Sequence, residues 1–566
     1  DFTKKVLAGK ASLFFQNKTN TDKLVLDTRG LIIKRVTLGT KNQKTTFRLG
    51  EPLRQLGQAL LIDILPETKL VNIWYESSPG AGALQWFDPQ QTTSKTMPFL
   101  YTQSQPILAR TWIPCQDNPG VRMTYRARIR VPIGMLAVMS AQNPVRKSPT
   151  GVYDFYMPQP IPSYLMALAV GDIEFRKIGE RSGVYAEPEV VEKAAWEFAD
   201  VESMMVATEH LYGPYRWQRY DVMVLPQSFP LGGMENPRLT FATPTILAGD
   251  RSLVSLITHE LAHSWAGNLV TNATWNDIWL SEGIATYIEQ RVVEAVFGHK
   301  ESEMQASSLF EDLKKEMDFE LGPTNPDTRL RPDFADRNLE DVMNGVPYGK
   351  GYLFLRALEE TVGRERWDNF LRKYFDTFAF QSMTTDGFVS YLNGHLLKND
   401  SLLAVRVPIE EWLYKPGLPA SYPKVNLEVF GDVEAIAKSF LDGSWTARPT
   451  TIKWSAQELQ HFLLVLPRPL TLAQMRELDS NFTFTASKNS EILKEWFLHA
   501  ISSGYAGAFP ALENFLVTVG RLKYLRPLYT ELARTPEGVV RAQRIYENAR
   551  PGYHPIAVRQ LDRLLR

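Results

Sequence analysis

"HELAHSWAGNLVTNATWNDIWLSEG", His259 to Gly283, is the stretch on which the reading of this chain turns. His259 and His263 stand four apart, Glu260 follows the first, and Glu282 comes nineteen residues after His263. "SLVSLITHELAHSW" (Ser252 to Trp265) has helical character. Residues four apart on a helix share one face, so both imidazoles can reach one ion. Glu260 is then placed to reach a water rather than the ion. A third protein ligand is needed to leave a fourth position for water. Glu282 is the candidate, on a second predicted helix, "WLSEGIATYIEQRVVEAVFG" (Trp279 to Gly298). Glu289, seven residues further on, shares its face and is a candidate acceptor for a histidine N–H. The chain holds only 8 histidines, so a chance match of this kind is expected about once in a hundred such proteins.

The surrounding chain has 566 residues, too many for one core; roughly 150 per domain suggests about three or four domains. Apolar residues make up 44% and charged residues 22%, ordinary for a soluble globular protein. Lys plus Arg number 63, as do Asp plus Glu, so there is no polyanion footprint and nucleic acid is not an expected partner. The apolar run "YLMALAV" (Tyr164 to Val170) is far below the roughly 18 residues a membrane span needs. The single cysteine, Cys115, excludes an intramolecular disulfide and a thiolate zinc cluster. It favours a cytoplasmic setting. The chain starts at Asp1 rather than Met, so a signal peptide cannot be read from it, and a periplasmic or secreted location stays open.

Along the chain the texture changes twice. "TYRARIRVP" (Thr124 to Pro132) alternates Tyr125, Ala127, Ile129 and Val131 with three arginines, a strand with one wet face. "KLVLDTRGLIIKRVTLG" (Lys23 to Gly39) gives two strands around a glycine, and residues 1–171 read as a β domain. Pro188 to Gly213 then reads as one long helix, with proline at its start and glycine at its end. "DVMVLPQSF" (Asp221 to Phe229) looks like a buried strand, and helices dominate afterwards, through residue 415. Thr384 is an N-cap candidate for the stretch to Leu396. Residues 416–425 form a proline-rich linker, and 426–566 read as helical to the end. Helical stretches there include Glu491 to Ile501, Ala511 to Gly520, Gly538 to Arg550 and Ile556 to Arg566.

The H-E-x-x-H pattern, the eighteen-residue gap before Glu282, and "GGMENP" (Gly232 to Pro237) together resemble the gluzincin, thermolysin-like zinc aminopeptidases. Within them the chain is most similar to the leukotriene A4 hydrolase and aminopeptidase B branch. The similarity runs through "ALQWFDPQQT" (Ala83 to Thr92), "IPCQDNPGVRMTY" (Ile113 to Tyr125) and "GRLKYLRPLY" (Gly520 to Tyr529), covering essentially the whole chain. The resemblance implies a multidomain α+β protein. Its parts are an N-terminal antiparallel β domain, a thermolysin-like mixed α/β catalytic domain and a C-terminal all-α superhelix. It implies one Zn2+ per chain and short peptide substrates with a free N-terminus. No membrane span is expected, and a monomer is the expected state.

Roles follow by matching motifs. His259, His263 and Glu282 would bind zinc, with Glu260 as general base. Glu235 would bind the substrate's α-ammonium. Gly232 and Gly233, beside Met234, lack a Cβ and would let a peptide backbone approach. Gln105 matches a glutamine that contacts the substrate near its N-terminus, here followed by Pro106 where relatives often have alanine. Tyr348 would donate to the tetrahedral oxyanion. Arg521 and Lys523 match a basic pair for the carboxylate of a short peptide. The preferred N-terminal residue stays open among Arg, Lys, Leu and Ala.

The branch has a second activity, opening of a lipid epoxide, which uses an aspartate and a tyrosine shortly before the oxyanion tyrosine. Here "LEDVMNGVPY" (Leu339 to Tyr348) is one residue out of step. Either Glu340 or Asp341 can take the aspartate's place, and Met343 stands where the tyrosine would be. That weakens the epoxide alternative. A third reading, a non-catalytic zinc scaffold, is opposed by Glu260 and Tyr348, which a structural ion does not need.

Overall fold

The structure is a computed structural model that describes residues 1–398, 401–445 and 454–566, apart from the side chains of residues 340, 341, 401, 402 and 404. Its N-terminal part is antiparallel β. Lys23–Thr28 and Ile32–Leu38 form strands on either side of a turn at Gly30, whose φ of +72° suits glycine. The turn passes the chain between two sheets. Ile32–Leu38 pairs with Leu70–Glu76 in a four-stranded sheet, and Lys23–Thr28 with Gln58–Asp63 in a three-stranded one. Their inner faces share a core of Leu26, Val36, Leu60, Ile62, Val71 and Ile73. The strand Arg122–Arg130 has the expected alternation, with Arg126, Arg128 and Arg130 exposed and Tyr125, Ala127 and Ile129 half-buried.

The middle part opens with a five-stranded mixed sheet. In spatial order it runs Glu174–Lys177, Ser182–Ala186, Tyr220–Val224, Leu239–Ala242 and Gly233–Met234. The three central strands are parallel and buried along their whole length, as strands covered on both faces are; the two edges are antiparallel. The expected strand Asp221 to Phe229 ends at Val224, before Pro226. The helix expected from Pro188 to Gly213 is two helices, Pro188–Glu197 and Val201–Tyr212. At the break Phe198 is buried, and Glu197 turns inward to accept the backbone N–H groups of Gly249 at 3.0 Å and Arg251 at 2.8 Å. No glycine or proline marks that break, so periodicity alone runs through it.

Helices follow, and Trp279–Phe297 is buried on almost every side. Thr384 caps the helix Thr385–Leu392, accepting from Gly387 N–H at 3.0 Å. Beyond the prolines, helices from Gly431–Leu441 to Pro555–Leu565 mostly pack on the next but one, the arrangement of a helical superhelix. They enclose a separate core containing Leu463, Trp496, Leu512, Leu525 and Ile545. Three parts are therefore present in the expected order. Among the described residues no helix is long and apolar enough to cross a membrane.

Candidate active site

The helix Ser255–Ala262 ends on His263, and Trp279–Phe297 packs against it, carrying Glu282 alongside. His259 Nε2 and His263 Nε2 are 3.1 Å apart, and Glu282 Oε2 lies 3.5 and 3.3 Å from them. Tetrahedral zinc with bonds of about 2.0–2.1 Å sets its ligand atoms about 3.3–3.4 Å apart. The three donors therefore fit such an ion.

The histidine tautomers agree with this. His263 Nδ1 is 2.9 Å from the Ala266 carbonyl oxygen, which can only accept, so Nδ1 carries the proton. His259 Nδ1 is likewise 3.1 Å from Glu289 Oε2, the contact expected of Glu289. Both Nε2 lone pairs then face each other and the Glu282 carboxylate in a buried space. Such a set repels itself unless a cation joins it. The same pull acts on protons: burial disfavours the His263 imidazolium, yet Glu282 and Glu235 outweigh it and raise the pKa to about 9. Burial would raise the Glu282 carboxyl, yet His263 and His259 hold it well below its ordinary value.

Two more carboxylates flank this centre. Glu260 and Glu235 are buried, and each has one oxygen that meets no hydrogen-bond partner in the protein. Burial is the chief cause that pushes Glu260 up to about 8 and raises Glu235. Leaving a buried polar atom unpaired costs about 1–3 kcal/mol, more for a charge, so this pair marks a place where something else is bound.

Tyr348 reaches the centre through a close helix crossing. A Cβ on Gly351 would come within 2.6 Å of Gly283 Cα, so Trp279–Phe297 and Val346–Val362 meet backbone to backbone. Tyr348, one turn before Gly351, then stacks on His259 with ring centroids 5.8 Å apart. Burial, followed by the charges of Glu282, Glu235 and Glu260, keeps its hydroxyl protonated.

The Gly232–Glu235 segment runs along the sheet edge above Glu260. The structure adds a reason for its glycines: a Cβ on Gly233 would overlap the Glu260 carboxylate, and one on Gly232 would lie 2.7 Å from Arg521 Nη2. Met234 is buried, and its sulfur accepts from Gln103 Nε2 at 3.3 Å.

The three metal donors, Glu260, Glu235, Tyr348, Gly232 and Gly233 line a cavity of about 1040 Å3 bounded by all three parts of the chain. Gln105 and Pro106 enter it from the N-terminal part, Met343 from the middle part, and Arg521 and Lys523 from the C-terminal part. Backbone bonds sew the last of these in place: Gly520 N–H donates to Gln227 at 2.8 Å and Leu522 N–H to Pro230 at 3.0 Å. Arg521 Nη1 donates to the Tyr524 hydroxyl at 3.2 Å. Lys523 Nζ donates to Glu491 Oε1 at 2.6 Å, so its charge is already shared. Burial would raise Glu491, but Lys523, Lys494 and Arg521 overcome it and hold the pKa at about 2.

Three participants escape sequence reasoning. Gln103, two residues before Gln105, lines the cavity with a buried, unpartnered Oε1. Tyr164 is fully buried, and burial, then Glu235 and Glu282, push its hydroxyl well up. Glu491 lies at the start of the helix Ser490–Ser503 and looks like an ordinary first-turn acid. No local pattern marks any of them, because each matters only through a partner far off in the chain. The side chains of Glu340 and Asp341, the two options for the epoxide aspartate, lie outside the described residues.

Fold and centre together define the class: this is a zinc metalloaminopeptidase, a hydrolase. Residues 1–165 match the Peptidase M1 N-terminal domain, 196–412 the Peptidase family M1 domain, and 454–565 the Leukotriene A4 hydrolase, C-terminal, domain. The chain belongs to peptidase family M1, in its leukotriene A4 hydrolase and leucine aminopeptidase branch. It is 35% identical to leukotriene A-4 hydrolase of Xenopus laevis, over 98% of this chain and 94% of that protein. It is also 35% identical to leucine aminopeptidase 2 of Yarrowia lipolytica, over 98% of this chain and 88% of that one. The structure of yeast LTA4 hydrolase in complex with bestatin superposes with a TM-score of 0.91 at 32% identity, covering 100% of this chain and 94% of that one.

Proposed function

We propose that this chain removes the N-terminal residue from short peptides, using one Zn2+ per chain held by His259, His263 and Glu282. In this reading the protein divides at residues 1–171, 172–415 and 426–566, with 416–425 as linker, and works as a monomer. The observation that carries the proposal is the pair of buried, unpartnered carboxylates, Glu260 and Glu235, flanking three converged metal donors in one cleft.

Zinc, when bound, supplies Lewis acidity that polarises a carbonyl and acidifies water. Glu260 takes the proton from the attacking water and passes it to the leaving amine, worth roughly a hundred- to ten-thousand-fold. Burial raises the proton affinity of its carboxylate, which suits a base that takes a proton from water. Tyr348, kept protonated, donates to the oxyanion, and one such donor contributes about 3 kcal/mol. Glu235 pairs with the substrate's α-ammonium and so sets exopeptidase action. Gln105 contacts the substrate near that end, while Gly232, Gly233 and Met234 form the wall beside it. Glu289 orients His259. At the other end Arg521 and Lys523 receive the peptide carboxylate, with Arg521 carrying more of the charge because Lys523 is shared with Glu491.

The test is a panel of aminoacyl-arylamides, each free and N-acetylated. Hydrolysis of the free forms only, abolished by chelation and restored by zinc, is expected. Rapid cleavage of the acetylated forms would remove Glu235 from its role. The name of the Xenopus relative raises the lipid-epoxide reading, but Met343 brings a thioether to the cleft where that chemistry uses a tyrosine hydroxyl. A scaffold role does not account for unpartnered Glu260.

A further inference from the structure

One buried residue, Asn268, hydrogen-bonds both to the backbone of the metal ligand His263 and to the backbone of Glu235. Its backbone N–H donates to the His263 carbonyl at 2.9 Å, closing the end of the metal-binding helix. Its side-chain Nδ2 donates to the Glu235 carbonyl at 2.7 Å. Its own carbonyl accepts from Arg122 Nη2 at 2.5 Å, and Arg122 Nη1 donates to Pro160 at 2.7 Å, which ties the junction to the N-terminal part. The chain can turn this tightly because Gly267 has φ +106°, and a Cβ there would come 3.0 Å from His263 Nδ1.

Glu235 lies just beyond a two-residue edge strand, Gly233–Met234. The sheet holds that strand from one side only. Asn268 supplies the hold on the metal side. A path of direct hydrogen bonds thus runs from the backbone of a metal ligand, through one side chain, to the backbone of the residue proposed to grip the ammonium.

We infer that Asn268 is a positioning residue that fixes the span from the Glu235 carboxylate to the metal centre. That span decides whether an α-ammonium bound at Glu235 leaves the first peptide bond at the metal. The inference rests on the reading of Glu235 as the ammonium anchor. A misplacement of about 1 Å by a residue remote from the chemistry can cost on the order of a hundredfold, so one hydrogen bond is enough to matter.

The test uses zinc-loaded full-length protein and two inhibitors, leucine hydroxamate and the same molecule without its amine. The ratio of their inhibition constants measures what the ammonium contributes, separately from metal chelation. In the wild type the amine is expected to strengthen binding at least tenfold; no gain there would sink the Glu235 reading itself. Asn268→Asp replaces the N–H donor with an acceptor of nearly the same shape. It should cut the gain about tenfold, leave the amine-free inhibitor within threefold of wild type, and leave zinc content unchanged. Asn268→Ala removes the donor without adding charge and should do the same. A gain that survives in both variants overturns the inference. So does equal weakening of both inhibitors, or loss of zinc or of folding in both variants, since either outcome assigns Asn268 to the helix end.

Discussion

The two ends of the cleft solve one electrostatic problem in opposite ways. Each holds a buried glutamate for which burial alone raises the pKa. At the metal end Glu260 stays high, at about 8, with one oxygen unpaired. At the far end Glu491 falls to about 2, because Lys523, Lys494 and Arg521 surround it. At the metal end the charges facing Glu260 are the imidazoles of His259 and His263, which pull against its burial without overcoming it. The far end carries its cations covalently. The first is poised for proton transfer, the second for holding a fixed anion.

On that contrast the largest effects come from disturbing the metal end. Removing zinc with a chelator should abolish activity, and Glu282→Ala should do so by losing the ion. Glu260→Gln should retain zinc yet lose at least about a hundredfold in rate, since it removes a proton carrier and not a ligand. Metal analysis beside kcat settles this: zinc lost from the Gln variant and kept in the Ala variant would reverse the assignments. Tyr348→Phe comes next. It should lower kcat by about a hundredfold, near 3 kcal/mol, and leave KM little changed, because the donor acts on the oxyanion and not on the bound peptide. A rise in KM at constant kcat would make Tyr348 a binding residue instead.

The two ends also differ in how far the sequence exposes them. His259, His263, Glu282 and Glu289 are readable because helical periodicity puts each pair on one face, and the structure brings all four together. Tyr348 and Glu235 are readable only by likeness to a family pattern; what places them is the Gly283–Gly351 crossing and the edge strand, and neither has a period. Arg521 and Lys523 carry the same likeness, but their link to Glu491 and the stitches from Gly520 and Leu522 join distant segments. Gln103, Tyr164 and Asn268 are invisible for that same reason. In the fold, the alternation of Arg122–Arg130 shows a strand with one wet face. The break after Glu197 is hidden because a tertiary contact, not a breaker residue, makes it.

A smaller effect, on stability rather than rate, tests the far end directly. The folded pKa of Glu491 is depressed, so its contribution is fully present above the ordinary carboxyl value of 4.5 and fades as pH falls toward about 2. Glu491→Gln should therefore unfold more readily than wild type at pH 7. The gap in denaturation midpoint should narrow at pH 3.5. A gap that stays constant between the two would mean that Glu491 contributes through packing and not through charge.

The smallest effect expected is the most selective. Arg521 faces the cleft from the C-terminal part, and its main partner, the Tyr524 hydroxyl, is neutral. It acts on Glu491 through space only, so its N–H groups can meet a carboxylate, whereas Lys523 is hydrogen-bonded to Glu491. A tripeptide gripped by Glu235 at one end brings a carboxylate to the other, and a charge-assisted bond there contributes roughly 1.5–3 kcal/mol. Arg521→Ala should lower kcat/KM for tripeptides tenfold or more, at least about 1.4 kcal/mol. Aminoacyl-arylamides have no such carboxylate, so their hydrolysis should change little. The split between substrates is the point of the comparison, because a residue that merely supports the fold would depress both alike. Gly232 sits against Arg521 Nη2, so some loosening of the Gly232–Glu235 segment is the competing outcome. It would appear as equal losses on both substrate types, and in that case the two ends of the cleft would not be separable and the carboxylate role of Arg521 would have to be given up.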